Sequence, residues 1–338
     1  MHNARVSPKA SLKLNILIVR VSSLGDVVHN MPMVADIRRH YPDANIDWMV
    51  EEAYADLVRL NAGVRRVIPV ALRRWRKSFL SPATRVEIKS FRNTLRSETY
   101  DIVFDTQGLF KTGLLMRMAR LAPGGRRVGM ANSTEGSGYE GISRIFHTMS
   151  VPIERRLHAV TRARAVAAAA LGYEVEGQAR FDLQPPALKP AWLPSEPYAV
   201  FFHGTARAAK QWPRENWIRL SESISSRGMP ILLPWGNEEE RNAAEYLASR
   251  MRNARVLPKL PLMEAVTLAH GTRLAVGVDT GLTHIAAAFE RPTVELYCDS
   301  PRWKTEGNWS GNIINLGDEG RSPSVEEAEA AVALLLNR

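Results

Sequence analysis

Five short stretches carry residue types that do chemistry, and each sits at the end of an apolar run. In S-S-L-G-D, Ser22 to Asp26, Gly25 allows close backbone approach, and Asp26 either caps a following helix or acts as a general base. In R-R-W-R-K-S-F, Arg73 to Phe79, four cations flank Trp75; they form a solvated loop or a grip for phosphate and carboxylate oxygens. H-G-T-A-R-A-A-K-Q-W-P, His203 to Pro213, offers the Thr205 hydroxyl and the compact charge of Lys210, a set that suits a diphosphate leaving group unless Lys210 merely faces solvent. P-W-G-N-E-E-E, Pro234 to Glu240, places Glu238 where a carboxylate holds a ribose or simply favours the first turn of a helix. In V-D-T-G-L-T-H, Val278 to His284, the amides of Thr280, Gly281 and Leu282 open a helix and make an anion site. There Asp279 must engage a hydroxyl or cap the helix, and His284 is either a satisfied structural histidine or a ligand contact. Neither G-x-G-x-x-G nor G-x-x-x-x-G-K-[ST] occurs, which argues against a dinucleotide dehydrogenase and a P-loop NTPase.

The elements that must hold these stretches alternate between β-rich and helical patterns. Strands are predicted at residues 15–21, 46–50, 66–70 and 101–105, with helices over 83–96 and 109–121. Residues 184–197 contain five prolines in fourteen positions and read as a linker. The alternation then restarts: strands at 198–203, 229–235, 255–257, 274–278 and 293–297, helices at 213–227, 238–250, 262–270 and 282–289. Ser324 and Glu327 have capping-box spacing at the head of a final helix. Two such arrays imply two Rossmann-like parallel-sheet domains, residues 1–185 and 198–320, facing a central cleft. The helix within 324–338 is expected to pack back on the amino-terminal domain. The basic leader before Asn15 reads as a tail.

The 338 residues are ample for two domains, and 45% hydrophobic with 24% charged residues is a folded composition. Cys298 is the only cysteine, so no disulfide forms within the chain, and a cytoplasmic protein is expected. A net charge of +10 favours anionic partners: nucleic acid, an acidic membrane face or phosphorylated substrates. No apolar run nears the roughly 18 residues of a spanning helix.

The ordered set R-V-S-S-L-G-D-V-V-H-N-M-P (20–32), V-I-P-V-A-L-R-R-W-R-K (67–77), D-x-Q-G-L-x-K (105–111), K-Q-W-P (210–213), L-P-W-G (233–236) and V-D-T-G-L-T-H (278–284) resembles glycosyltransferase family 9. R-R-W-R-K and L-P-W-G point to the branch that adds the first heptose to lipopolysaccharide rather than the second. The resemblance implies a GT-B fold, inversion at the anomeric carbon, and chemistry without a metal or cofactor. It implies transfer of heptose from ADP-heptose to the first Kdo of Kdo2-lipid A, with residues 1–185 binding acceptor and 198–320 binding donor. Asp26 would be the base; Lys210 (catalytic as well), Thr205 and the amides of Thr280, Gly281 and Leu282 would stabilise departing ADP. Glu238 would hold the ribose, and Asp279 and His284 the diphosphate or heptose. Ser23, Gly25, Arg73, Arg74, Arg76, Lys77 and Lys111 fall to the acceptor side. The acceptor lies in a membrane, so the resemblance also implies a monomer working peripherally at the anionic cytoplasmic face of the inner membrane. One departure stands out: no basic residue lies between Asn132 and Gly138, where family members carry arginine, which leaves that role to Arg144 or the 73–77 segment. The alternatives are a family member with another acceptor, or a basic nucleotide- or nucleic-acid-binding protein. Against the last, the basic residues are dispersed and no recognised DNA- or RNA-binding signature is present.

Overall fold

The computed structural model describes residues 13–205 and 207–338, so most of the basic leader lies outside the described residues. Among the described residues, twelve strands form two six-stranded parallel sheets. The first contains β1 (Asn15–Val19), β2 (Asn45–Glu51), β3 (Arg66–Val70), β4 (Thr99–Asp105), β5 (Arg120–Met130) and β6 (Met149–Val151), in the order β3-β2-β1-β4-β5-β6. The second contains β7 (Ala199–Phe202), β8 (Ile231–Leu233), β9 (Ala254–Val256), β10 (Leu274–Val278), β11 (Thr293–Tyr297) and β12 (Ile313–Gly317), in the order β12-β11-β10-β7-β8-β9. Both have the same winding. Each reverses direction beside its first strand, at β1/β4 and at β7/β10, which is where open α/β sheets bind ligands.

The chain divides into two compact units. One comprises the residues through Val21 with Asn30–Leu157 and Thr161–Gly177; the other comprises Ser22–His29, His158–Val160 and Gln178–Arg338. The segment after β1, with Asp26, thus belongs by packing to the unit of the second sheet.

Strands buried on both faces explain the continuous apolar runs: Leu274–Val278 and Thr293–Tyr297 are buried throughout. Their cluster includes Phe201, Trp217, Leu220, Val276 and Leu296, together with Ala328, Val332 and Leu335 of the last helix, Val325–Leu336. That helix therefore packs in the second unit, against the helix Arg214–Ser225 and β10–β12, which corrects the expected return to the amino-terminal domain. Its own buried stripe, matched to the second sheet, is the reason. Ser324 Oγ accepts the Glu327 amide while the Glu327 side chain accepts the Ser324 amide, completing the capping box.

The helix predicted over 109–121 ends at Met118, because Ala119 turns extended and β5 begins. β5 itself, R-L-A-P-G-G-R-R-V-G-M, hides its strand character behind an internal Pro-Gly-Gly, where its register with β4 shifts. Residues 184–197 contain no helix or strand.

Candidate active site

The helix Leu24–His29 meets the helix Gly281–Ala288 through two glycines. A Cβ on Gly25 would stand 3.3 Å from His284 Cδ2, and one on Gly281 would stand 2.8 Å from Leu24 Cγ. Neither helix could approach so closely with a side chain at those positions. Asp26 lies in the first turn of its helix, and the backbone N–H and hydroxyl of Ser23 donate to its Oδ2 at 3.1 and 3.0 Å. Both readings of Asp26 thus share one geometry: the carboxylate ties down the helix start and remains partly accessible. His29, at the end of the same helix, is buried with its ring 4.5 Å from that of His284. Its Nε2 has no hydrogen-bond partner among the described residues. Burial, then the charges of His284 and His158, lower its pKa against the nearby carboxylates of Asp26 and Asp279, so its ring is neutral.

Next to these helices is a chain of buried charges. The short turn Ala208–Lys210, after β7, carries Lys210 to Asp279 at the end of β10, and Lys210 Nζ donates to Asp279 Oδ2. Asp279 Oδ1 accepts from His284 Nε2 at 3.0 Å, and His284 Nδ1 donates to Glu295 Oε1 at 3.1 Å. Glu295 Oε2 in turn accepts from the Tyr297 hydroxyl at 3.0 Å and the Gly307 amide at 2.8 Å. Burial alone would strip the proton from His284, but the charge of Glu295 and the hydrogen bonds to Asp279 and Glu295 outweigh it and raise the pKa to about 10. Burial likewise opposes the charge on Asp279, yet the His284 and Lys210 contacts hold its carboxyl far below the ordinary carboxylate range. The result is a charge-balanced chain of Lys210, Asp279, His284 and Glu295 that holds two cations in place at the mouth of a helix N-terminus, whose amides favour an arriving anion.

Thr280 precedes that helix in extended conformation and makes no side-chain cap, and the amides that open the helix lack intrahelical partners by geometry. Thr205 lines a separate cavity of about 280 Å³, with His203, Trp212, Asn237, Glu239 and Glu240 also on its wall. Glu238 does not line it: its side chain is 74% exposed and 3.6 Å from Arg241. Glu238 opens the helix Glu238–Ala248, which is capped by Asn237 Oδ1 on the Glu240 amide, and Glu240 is the residue turned toward Gly204.

The acceptor-side expectation changes as well. Arg73 to Lys77 form a helix, Leu72–Lys77, rather than a loop. Arg74 is bound to both Glu52 and Glu87, and buried Trp75 donates from Nε1 to Glu87 at 2.8 Å. Its charge is compensated within the chain, so Arg74 is not a free grip for a ligand. Arg73 donates to the Tyr54 hydroxyl at 3.1 Å and lies over that ring. Arg76, Lys77, Lys111 and Arg144 stand exposed. In D-x-Q-G-L-x-K the aspartate is structural: Asp105 accepts the amides of Gln107 and Gly108 at 3.0 Å, and burial raises its pKa to about 6. The buried guanidinium that reaches the Asn132–Gly138 segment is Arg162, which donates to Thr134 Oγ1 at 2.8 Å.

Sequence reasoning missed Glu295 and His29. Glu295 had a readable signal: a glutamate in the middle of T-V-E-L-Y, an otherwise apolar strand, has to be paired if buried. His29 had none, since its role arises only when two distant helices meet.

Comparison with known proteins agrees with this geometry. The profile of the family described as "Glycosyltransferase family 9 (heptosyltransferase)" matches residues 88–333. The chain is 39% identical over 307 residues to lipopolysaccharide heptosyltransferase 1 of Pseudomonas aeruginosa, covering 90% of this chain and 84% of that protein. Among solved structures it is similar to the E. coli heptosyltransferase WaaC with ADP, at TM-score 0.83 and 32% identity, over 95% of this chain and 100% of that one. It is also similar to WaaC with ADP-2-deoxy-2-fluoro heptose, at TM-score 0.75 and 33% identity, over 96% and 99% of the two chains. With its twin parallel sheets, the architecture is GT-B.

Proposed function

The chain belongs to glycosyltransferase family 9, the heptosyltransferases, and on that premise we propose that it moves heptose from ADP-heptose to the first Kdo of Kdo2-lipid A. The observation that carries this reading is the packing of the Asp26 helix, through Gly25, directly on the helix that begins beside Asp279 and Lys210. A general base and a set of leaving-group stabilisers then belong to one unit.

In the reaction, Asp26 takes the proton of the acceptor hydroxyl as that oxygen attacks the anomeric carbon. The bond from that carbon to the diphosphate oxygen breaks, and the configuration inverts. Negative charge grows on the departing ADP, where Lys210, protonated His284 and the amides of Thr280, Gly281 and Leu282 meet it. Asp279, a poor neighbour for phosphate, orients the two cations and accepts a heptose hydroxyl. The cavity beside Thr205 and Glu240 receives the nucleoside, and the WaaC structures with ADP and with ADP-2-deoxy-2-fluoro heptose support an ADP-linked donor. Arg76, Lys77 and Lys111 bind the acidic sugars of the acceptor.

No described helix is long and apolar enough to cross a membrane, and we place the enzyme peripherally on the cytoplasmic face of the inner membrane. Incubation with ADP-heptose and defined Kdo2-lipid A, read by mass spectrometry, tests the reading. One added heptose with release of ADP is expected. Preference for an acceptor that already carries a heptose would overturn the acceptor assignment, and ADP release without any glycosylated product would overturn transfer itself.

A further inference from the structure

Ten large apolar side chains stand exposed among the described residues, and seven of them fall in two stretches of the first unit. Phe79 and Leu80, 67% and 78% exposed, form the turn between the helices Leu72–Lys77 and Pro82–Leu95, and Val86 is on the outer face of the latter. Phe110 and Leu114 lie on the helix Phe110–Met118, beside Ile142 and Ile145 of the turn Gly141–Phe146. The second pair of elements is locked together by Phe146, whose ring packs against Gly113 and lies 5.5 Å from Phe110. Isolated exposed apolar residues are ordinary, but this concentration is not.

These side chains are surplus to the fold. The inner faces of the same helices already bury Trp75, Phe91, Leu95, Leu115 and Met116 in one cluster on the first sheet. Both stretches therefore cover the same core. Their surroundings are cationic. Arg76, Lys77, Arg85 and Lys89 border the first stretch, and Lys111, Arg117 and Arg144 border the second; all are exposed and form no ion pair among the described residues. The acids nearby are already engaged: Glu87 with Arg74 and Trp75, Glu140 with the Phe110 amide.

We propose that this face of the first unit docks on an anionic lipid bilayer, its apolar side chains entering the acyl boundary while Arg85, Lys89, Arg117 and Arg144 meet headgroup phosphates and Arg76, Lys77 and Lys111 remain for the acceptor sugars. Apolar residues ringed by uncompensated Lys and Arg match a surface that is greasy below and negative above. A protein partner would be expected to meet a patch with charges of both signs. The inference deepens the proposed function, since it rests on the reading that the acceptor is a membrane lipid and names the surface that brings the enzyme to it.

The test uses the full chain and vesicles of phosphatidylethanolamine with phosphatidylglycerol, free of any Kdo lipid, read by co-sedimentation. Binding is expected, with at least tenfold loss on neutral phosphatidylcholine vesicles. A variant carrying Phe79→Ser, Leu80→Ser, Ile142→Ser and Ile145→Ser, all on exposed positions, should lose binding by tenfold or more. It should keep wild-type transfer to a delipidated, water-soluble Kdo acceptor and lose transfer to the acceptor in vesicles. Wild-type vesicle binding by that variant would overturn the surface while leaving heptosyl transfer standing. Vesicle binding by an enzyme that glycosylates no acceptor would overturn the proposed function and leave the surface standing. Equal binding to neutral vesicles, or binding to none, would refute the inference, as would capture of a protein partner by this face in its place.

Discussion

Replacing Glu295 by glutamine keeps the shape of a buried side chain and removes the charge that holds the His284 proton. In the native chain the His284 pKa rises from 6.5 to about 10, a preference for the charged ring of about 5 kcal/mol. The carboxylates of Glu295 and Asp279 must outweigh the burial cost before any net rise appears, and burial remains in the variant, so Glu295→Gln should forfeit more than half of the rise and bring the ring's titration well below 10. Because the native pKa lies above the unfolded one, the stability His284 contributes is fully present below pH 6.5 and is lost as pH rises toward 10. The deficit of the variant should therefore be largest in acid, about 3–5 kcal/mol in urea unfolding, and should shrink in alkali. With a mostly neutral ring in the proposed diphosphate site, kcat should fall roughly 10–100-fold at pH 8. An NMR titration of the His284 Cε1 proton is the decisive measurement. If the ring of the variant still titrates near 10, Glu295 is not what holds the proton and the account of the charge chain is wrong.

Asp26→Asn keeps the hydrogen bond from Ser23 but cannot accept a proton; turnover should drop roughly 10²–10⁴-fold with ADP affinity nearly intact, and calorimetry with steady-state rates separates the two. Gly25→Ala puts a methyl group 3.3 Å from an imidazole pinned by two carboxylates, so it should cost about 1–3 kcal/mol in chemical denaturation and lower activity as well. His203 is buried, and burial with nearby Arg214 lowers its pKa to about 4, so the unfolded chain takes up a proton between pH 6.5 and 4 that the native chain refuses. Stability should fall over that window by up to about 3 kcal/mol, partly offset by Asp105, and His203→Asn should flatten the slope in urea melts at stepped pH. Arg76→Ala with Lys77→Ala should raise the KM for Kdo2-lipid A several-fold and leave that for ADP-heptose unchanged; an unaltered acceptor KM removes both residues from the acceptor site.

The sheets were legible because both their faces are covered. Leu274–Val278 and Thr293–Tyr297 read as unbroken apolar runs and emerged as strands with those bounds. β5 was not, since its Pro-Gly-Gly interrupts the apolar run and the strand continues only by pairing with β4 on both sides of it and with β6 at its end. For the site, local chemistry was readable and partnership was not. The sequence shows that Arg74 is a cation after a strand; only the fold brings Glu52 and Glu87 to it and cancels its charge. Glu238 and Glu240 differ by two positions, and which of them meets Gly204 depends on where Asn237 starts the helix.

His284 shows why a structural and a functional histidine need not be alternatives. Each ring nitrogen is satisfied by a carboxylate, which is the structural reading in full. The same two hydrogen bonds raise its pKa and keep it charged, and that charge is what a departing diphosphate requires. Asp279 extends the argument, because a carboxylate beside a phosphate site is repulsive taken alone. Here Lys210 and His284 flank it while Glu295 balances the far side of the ring, so its negative charge fixes both cations in place at the head of the helix. Gly25 then determines how near the Asp26 helix comes to that helix. In the proposed reaction the separation between base and leaving group is accordingly set by a missing side chain and a buried charge chain, and it shifts when either is altered.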